Sequence, residues 1–243
     1  MHRSAPFCLV SMLAGAAAAG GDSLFTVSGH TDAFQMAGRS IEARDVQTRV
    51  WLDRDKMRRD EADTSTILRF DRNKMYLVNH EEKTYSEIDL PVDWKKLVPK
   101  GNEQMIEQVD KMSRMEVTVK PTTEARKVRQ WNARKVQVDL ANPTGLKIST
   151  ALWVCKEVAG YGAYNRMLAS VAALQPGATD WAREIARIDG FPVAQEATVS
   201  LQGAVFKTRE ELVSVEDKPA PPGTYDIPAG YAIKPYSAGE TAQ

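Results

Sequence analysis

Asn73-Lys74-Met75-Tyr76-Leu77-Val78-Asn79-His80-Glu81-Glu82-Lys83-Thr84-Tyr85-Ser86-Glu87-Ile88-Asp89 is the stretch that decides the fold. Within it, Lys74 to Val78 is a run of strand-forming residues. Met75 and Leu77 fall on one face, Tyr76 and Val78 on the other. His80-Glu81-Glu82-Lys83 is a polar turn, and Thr84 to Asp89 returns from it as a second strand.

Working back toward the N-terminus, the same rhythm repeats. Asp71-Arg72-Asn73 is a tight turn preceded by Thr66-Ile67-Leu68-Arg69-Phe70, in which Leu68 and Phe70 share a face. Lys56-Met57-Arg58-Arg59 follows an Asp-Arg-Asp turn, and Val46 to Leu52 alternates with period two. Phe25-Thr26-Val27 opens the series. Turn signals at a spacing of about ten residues describe an antiparallel meander.

Beyond Pro91 the period changes. Met105, Ile106, Val109 and Met112 lie on one helical face, with Asn102 as N-cap. A methionine-rich stripe serves a core and equally lines an adaptable apolar site. Strands resume at Glu116 to Lys120, Trp131 to Leu140 and Lys147 to Val154; Asn142-Pro143-Thr144-Gly145 is the turn between the last two. Tyr164, Met167, Leu168, Val171 and Leu174 mark a second helix, stopped at Pro176-Gly177. Trp181, Ile185 and Ile188 mark a third, stopped at Gly190. A hairpin across Gln202-Gly203 and a tail rich in Pro, Gly and Ala complete the chain. Strands, then helices, then strands imply α+β architecture.

Composition narrows function. Lys plus Arg and Asp plus Glu both total 32, so the basic excess of a nucleic-acid-binding protein is absent. Met1-His2-Arg3, the uncharged apolar run Pro6 to Ala19 and the small residues Ala16 to Gly21 have the form of a secretory signal, too short to span a bilayer. Residues 1–19 are therefore expected to be a signal peptide, 20–232 a single domain and 233–243 a flexible tail. That places the mature chain in the periplasm or outside the cell, with no integral membrane segment. Cys8 leaves with the leader, and Cys155 remains as a packed thiol with no partner for a disulfide.

Catalytic and metal motifs are missing. There is no His-x-x-x-His, Cys-x-x-Cys, Gly-x-Ser-x-Gly or Gly-rich phosphate loop. His30 and Asp32 share a strand face but need further ligands to hold a metal. His80 with Glu81 and Glu82 reads as a solvated turn. Glu81-Glu82 and Glu210-Glu211 are adjacent residues that diverge on a strand, so neither pair converges on one atom. Arg126, Lys127, Arg129, Arg134 and Lys135 surround Trp131, either to meet anionic head groups or as a solvated face. The chain is expected not to be an enzyme and to carry no cofactor or metal.

The Asn73 to Asp89 hairpin, Trp153-Val154-Cys155-Lys156-Glu157, Asp189-Gly190-Phe191-Pro192-Val193 and Tyr225-Asp226-Ile227-Pro228-Ala229-Gly230-Tyr231 together resemble a secreted bacterial domain-of-unknown-function family. That family is similar in turn to the periplasmic lipoprotein-carrier (LolA-like) fold. The resemblance implies a curved antiparallel sheet, an unclosed half-barrel, with about three helices on its concave side. It also implies a lipid, acyl chain or lipoprotein held between the layers. Expected lining residues are Leu68, Phe70, Met75, Leu77, Met105, Val109, Met112, Met167 and Val171. The alternatives are an envelope interaction or structural module, in which the same residues are plain core, and a hydrolase, which needs a convergent polar cleft.

Overall fold

The computed structural model describes residues 21–36, 38–93, 108, 111–158, 167 and 179–236. The expected leader, most of the first two expected helices and the last residues of the tail lie outside these. The meander is present as β1 (Ser23–Thr31), β4 (Arg44–Leu52), β5 (Lys56–Glu61), β6 (Thr64–Arg69), β7 (Lys74–Asn79) and β8 (Thr84–Asp89). A small hairpin, β2 (Phe34–Met36) and β3 (Arg39–Ile41), interrupts it. The second half supplies β9 (Glu116–Val128), β10 (Trp131–Ala141), β11 (Lys147–Cys155), helix α1 (Thr179–Ala186), β12 (Phe191–Leu201), β13 (Ala204–Asp217) and the short β14 (Ala232–Ile233).

All but β2 and β3 belong to one curved, unclosed 12-stranded sheet, in the order β14-β8-β7-β6-β5-β4-β1-β13-β12-β11-β10-β9. Neighbours are antiparallel except the pair β14–β8. The two halves meet where β1 lies between β4 and β13.

Local chemistry explains the punctuation. Asn73 and Lys83 take left-handed conformations, with φ of 52° and 53°, in the two turns that bracket β7. The Asn142 side chain accepts hydrogen bonds from the backbone N–H groups of Thr144 and Leu146, closing the turn before β11. Gly190, at φ 130°, enters β12 against the Cys155 carbonyl; a Cβ there would lie 3.3 Å from that group, which accounts for glycine in the Asp-Gly-Phe-Pro sequence.

One difference from expectation has a clear cause. The strand expected over Glu116 to Lys120 runs on through Pro121 to Val128. Pro121 is tolerated because β9 is the end strand of the sheet and the ladder shifts register opposite it, between Arg134 and Val136. Of the three expected helices, the third is present as α1, with Trp181 and Ile185 buried. The first is represented only by Gln108 and by helical residues 111–113, and the second only by Met167.

The main core lies on one face of the sheet. Phe25, Leu52, Leu68, Met75, Ile88, Val193, Val199 and Leu212 are almost wholly buried there, each contributing about 1.5–3 kcal/mol of hydrophobic stabilisation. A smaller cluster, Ile67, Tyr76 and Val78, occupies the opposite face.

Candidate functional site

Directly paired residues in an antiparallel ladder project to the same side, so the register maps each face. One row of the core face reads Leu52, Met57, Leu68, Met75, Ile88. The next reads Val50, Arg59, Thr66, Leu77, Ser86, and the third Thr48, Glu61, Thr64, Asn79, Thr84. In the other half the rows are Val117, Leu140, Ile148, Val199, Phe206 and then Val136, Leu152, Gln195, Glu210. The core face is thus an apolar field crossed by a polar seam.

The seam is hydrogen-bonded within itself. Gln195 donates to Glu210 at 2.8 Å, and Glu210 is the cross-strand partner of Gly29. Thr48 donates to Glu61 at 3.3 Å, and Arg59 pairs with the same carboxylate. Arg59 Nε is buried and has no acceptor among the described residues.

Leu68, Phe70, Met75 and Leu77 all join the main apolar cluster. Leu68 and Met75 are direct partners, and Leu77 lies on their face; Phe70 falls just past β6, in a single 3-10 turn over Phe70–Arg72 rather than in the strand, and packs against the cluster from there. Met167 is buried in the same cluster, whereas Met112 is half exposed. Met105, Val109 and Val171 lie outside the described residues. The β2–β3 hairpin covers one corner of this face: Phe34 stacks on Phe206 with ring centroids 4.1 Å apart.

The opposite face carries a strap. After β13 the chain crosses back over β1, β4, β5, β6 and β7 and ends as β14 beside β8. Lys218 sits over the Trp51 ring, and the Tyr225 hydroxyl donates to Asp22. Arg58 donates to the Thr224 carbonyl, and Arg69 donates to the Tyr225 carbonyl and to Asp226. Ile227 and Tyr231 cover Ile67, Tyr76 and Val78. Ordered chain therefore runs through Ala232–Ile233 to Tyr236.

His80 is a clasp of this strap rather than a solvated turn residue. Its Nε2 is 2.6 Å from Ser65 Oγ and its Nδ1 2.9 Å from the Tyr231 hydroxyl. Ser65 donates to Asp60 and accepts from Arg58. All partners are satisfied when His80 Nε2–H donates to Ser65 and Tyr231 donates to Nδ1. The Ser65 O–H is directed at Asp60 rather than at His80, and the serine is buried.

The remaining sequence candidates are charge-paired. His30 lies 2.7 Å from Asp45 and 3.1 Å from Asp32, and Arg209 also donates to Asp32. Among the described residues no group of His, Cys, Asp and Glu is placed to hold a metal. Arg126 bridges to Glu196, Arg129 to Glu211, Lys135 to Glu124 and Arg134 to Asp189. This favours the solvated-face reading of the basic cluster. Arg126 also lies over the Trp153 ring at 4.0 Å, and Trp153 Nε1 is buried with no acceptor among the described residues. Cys155 is a buried free thiol. No helix among the described residues is long and apolar enough to cross a membrane.

Three solved structures show a distant similarity to this chain. PNGF-II is 10% identical with a TM-score of 0.36; the match covers 86% of this chain and only 30% of PNGF-II. An outer membrane lipoprotein-sorting protein domain from Vibrio parahaemolyticus is 8% identical, TM-score 0.28, over 82% of this chain and 86% of its own. A DUF1329 family protein from Desulfovibrio piger is 10% identical, TM-score 0.28, over 85% of this chain and 90% of its own. No curated protein matches the chain. The profile of one family of domains of unknown function, DUF4412, matches residues 40–231, and this chain belongs to that family.

Proposed function

We propose that this protein binds a lipid or acyl chain on the core face of its unclosed sheet, as a carrier-like protein of the periplasm, and does not transform it. The observation that carries this reading is the make-up of the main apolar cluster. Met57, Met75 and Met167 are buried in it, and Met36 and Met115 pack against it. Methionine side chains are unbranched and polarizable, so a face built on them re-packs around a guest at low cost. The self-paired polar clusters support binding rather than catalysis, since a general base needs an unengaged partner near its substrate.

Native mass spectrometry of the protein purified from its source tests the proposal. The expected spectrum contains a lipid mass released on activation. A ligand-free spectrum, together with no uptake of oleate or monoolein, would sink it.

A second reading, an envelope interaction module, draws on β9. This 13-residue strand ends the sheet, and among the described residues no strand pairs with its outer edge, where main-chain donors and acceptors could meet another chain. It predicts a co-purifying protein and no lipid.

A further inference from the structure

We propose that the protein forms a symmetric dimer in which the outer edge of β9 pairs antiparallel with β9 of a second copy, over Glu116-Val117-Thr118-Val119-Lys120 and centred on Thr118. This is independent of the lipid-binding reading, and it gives the β9 edge of the second reading one definite occupant.

The two ends of the 12-stranded sheet differ. At one, the strap lays β14 alongside β8 in parallel. At the other, among the described residues, no strand lies beyond β9. Edge main chain in this state is a template for another strand. Pro121 limits how much of β9 is on offer. It has no N–H, and the ladder to β10 shifts register opposite it, so regular pairing is confined to Glu116 through Lys120. Within that segment Val117 and Val119 pack half-buried against the main apolar cluster, and Glu116, Thr118 and Lys120 are exposed.

The segment is its own complement. In an antiparallel pair centred on Thr118, Glu116 faces Lys120 of the second copy, Val117 faces Val119, and Thr118 faces itself. Opposite-charge, Thr–Thr and β-branched couples are all favourable across a ladder. Other registers lose this match. Centring on Val117 or Val119 removes both ion pairs, centring on Glu116 or Lys120 sets like charges opposite each other, and an odd offset sets valines against polar residues. Among the described residues neither Glu116 nor Lys120 forms an ion pair within the chain. Lys120 does act on Asp139, the cross-strand partner of Thr118, whose carboxyl is held below its ordinary range chiefly by hydrogen bonds from Ser149 and Gln137. The valine couples carry the apolar core face from one copy to the next. A two-fold interface repeats every contact, but five residues a side is less than a standard interface, so the dimer is weak and concentration-dependent.

Sedimentation velocity of the full chain at low salt, at concentrations up to roughly 1 mM where weak complexes are populated, provides the test. The wild type is expected to pass from monomer to dimer as concentration rises. Lys120→Glu and Glu116→Lys each put two like-charge couples in the interface, and each is expected to weaken self-association about tenfold or more. An equimolar mixture of the two restores both ion pairs and is expected to dimerise as the wild type does, a gain that misfolded variants cannot produce. Thr118→Cys is expected to form a disulfide-linked dimer under mild oxidation, and Thr123→Cys, beyond Pro121, is not; the wild type, in which Cys155 is buried, gives the background. A wild type that stays monomeric throughout, or single variants that associate as it does, overturns the proposal. So does a mixture that stays monomeric, or crosslinking at Thr123 in place of Thr118. If material purified from its source carries a different protein that Lys120→Glu releases, the edge belongs to that partner and self-pairing is wrong. None of these outcomes bears on lipid uptake.

Discussion

The Tyr225 hydroxyl donates to the Asp22 carboxylate at 2.6 Å, joining the entrance of β1 to a residue 203 positions later in the chain. The same carboxylate accepts from the Ala220 backbone N–H at 2.8 Å. The strap is therefore anchored where the sheet begins, before it crosses the outer face. Lys56 lies 5.7 Å from the centre of the Tyr225 ring, so the anchor is both apolar and charged in its surroundings.

This anchor makes stability sensitive to alkali. Burial, and then the hydrogen bond to Asp22, raise the Tyr225 phenol well above its ordinary value of 10. Below that value the phenol is protonated in the folded and unfolded chains alike, and its contribution is complete. Above it the unfolded chain sheds a proton that the folded chain keeps, so stability falls as pH rises. Urea unfolding at about pH 8 and about pH 11 should show this loss. Tyr225→Phe should cost about 1–2 kcal/mol at neutral pH and flatten that slope. An equally steep alkaline loss in the Phe variant would assign it elsewhere.

Arg69 is the second anchor and governs the acid limb. Its buried guanidinium donates twice to Asp71, at 2.8 and 2.7 Å, and also holds Asp226 and the Tyr225 carbonyl. The hydrogen bond from Arg69 holds the Asp71 carboxyl below its ordinary value of 3.8. That contribution is present above the ordinary value and is lost as pH falls through the lowered one. Arg69→Met should destabilise by about 2 kcal/mol at neutral pH, measured by urea midpoint. Asp71→Asn should reduce the acid sensitivity. If Arg69→Met unfolds at the wild-type midpoint, the anchor is energetically idle.

The hairpin architecture was legible because alternation and turn chemistry coincide in the meander. Met75 and Tyr76 go to opposite faces, as period two requires, and both find apolar partners. The strap was not legible. Its Pro, Gly and Ala composition resembles a loose tail, and the contacts that order it span more than 150 residues, as from Arg69 to Tyr225 and from His80 to Tyr231. Periodicity carries no information about such pairs. The one available hint was the aromatic spacing in Tyr225-Asp226-Ile227-Pro228-Ala229-Gly230-Tyr231.

The polar seam was missed for a different reason. Arg58 and Arg59 are adjacent, so on a regular strand one must face each way, and residue type alone does not say which. The register sends Arg58 to the strap and Arg59 to the core face. Bulges hide facing further: the register shifts between Thr26 and Val27 and between Trp153 and Val154.

Met75 and Met112 provide a direct contrast within the expected lining set. Met75 is wholly buried between Leu68 and Ile88, and Met112 is half exposed. Met75→Ala should cost about 2–5 kcal/mol in chemical denaturation. Met112→Ala should stay within about 0.5 kcal/mol. Comparable losses at the two sites would mean that Met112 packs against something the sheet does not supply.

Removing the strap should expose a surface made for covering. A chain ended after Asp217 loses Ile227 and Tyr231 from the Ile67, Tyr76 and Val78 cluster, and loses β14 from the edge of β8. It also leaves Arg69, buried in the intact protein, without Asp226. Exposed apolar residues beside an unpaired edge invite sheet-to-sheet association. The shortened chain should bind more of an apolar dye than the full chain and sediment as a larger species. Ile227→Ser should show the dye effect in milder form, at a cost of about 1–2 kcal/mol, because β14 still covers the edge. A shortened chain with unchanged size and dye binding would show that the outer cluster is stable bare, and that the strap serves some purpose other than covering it.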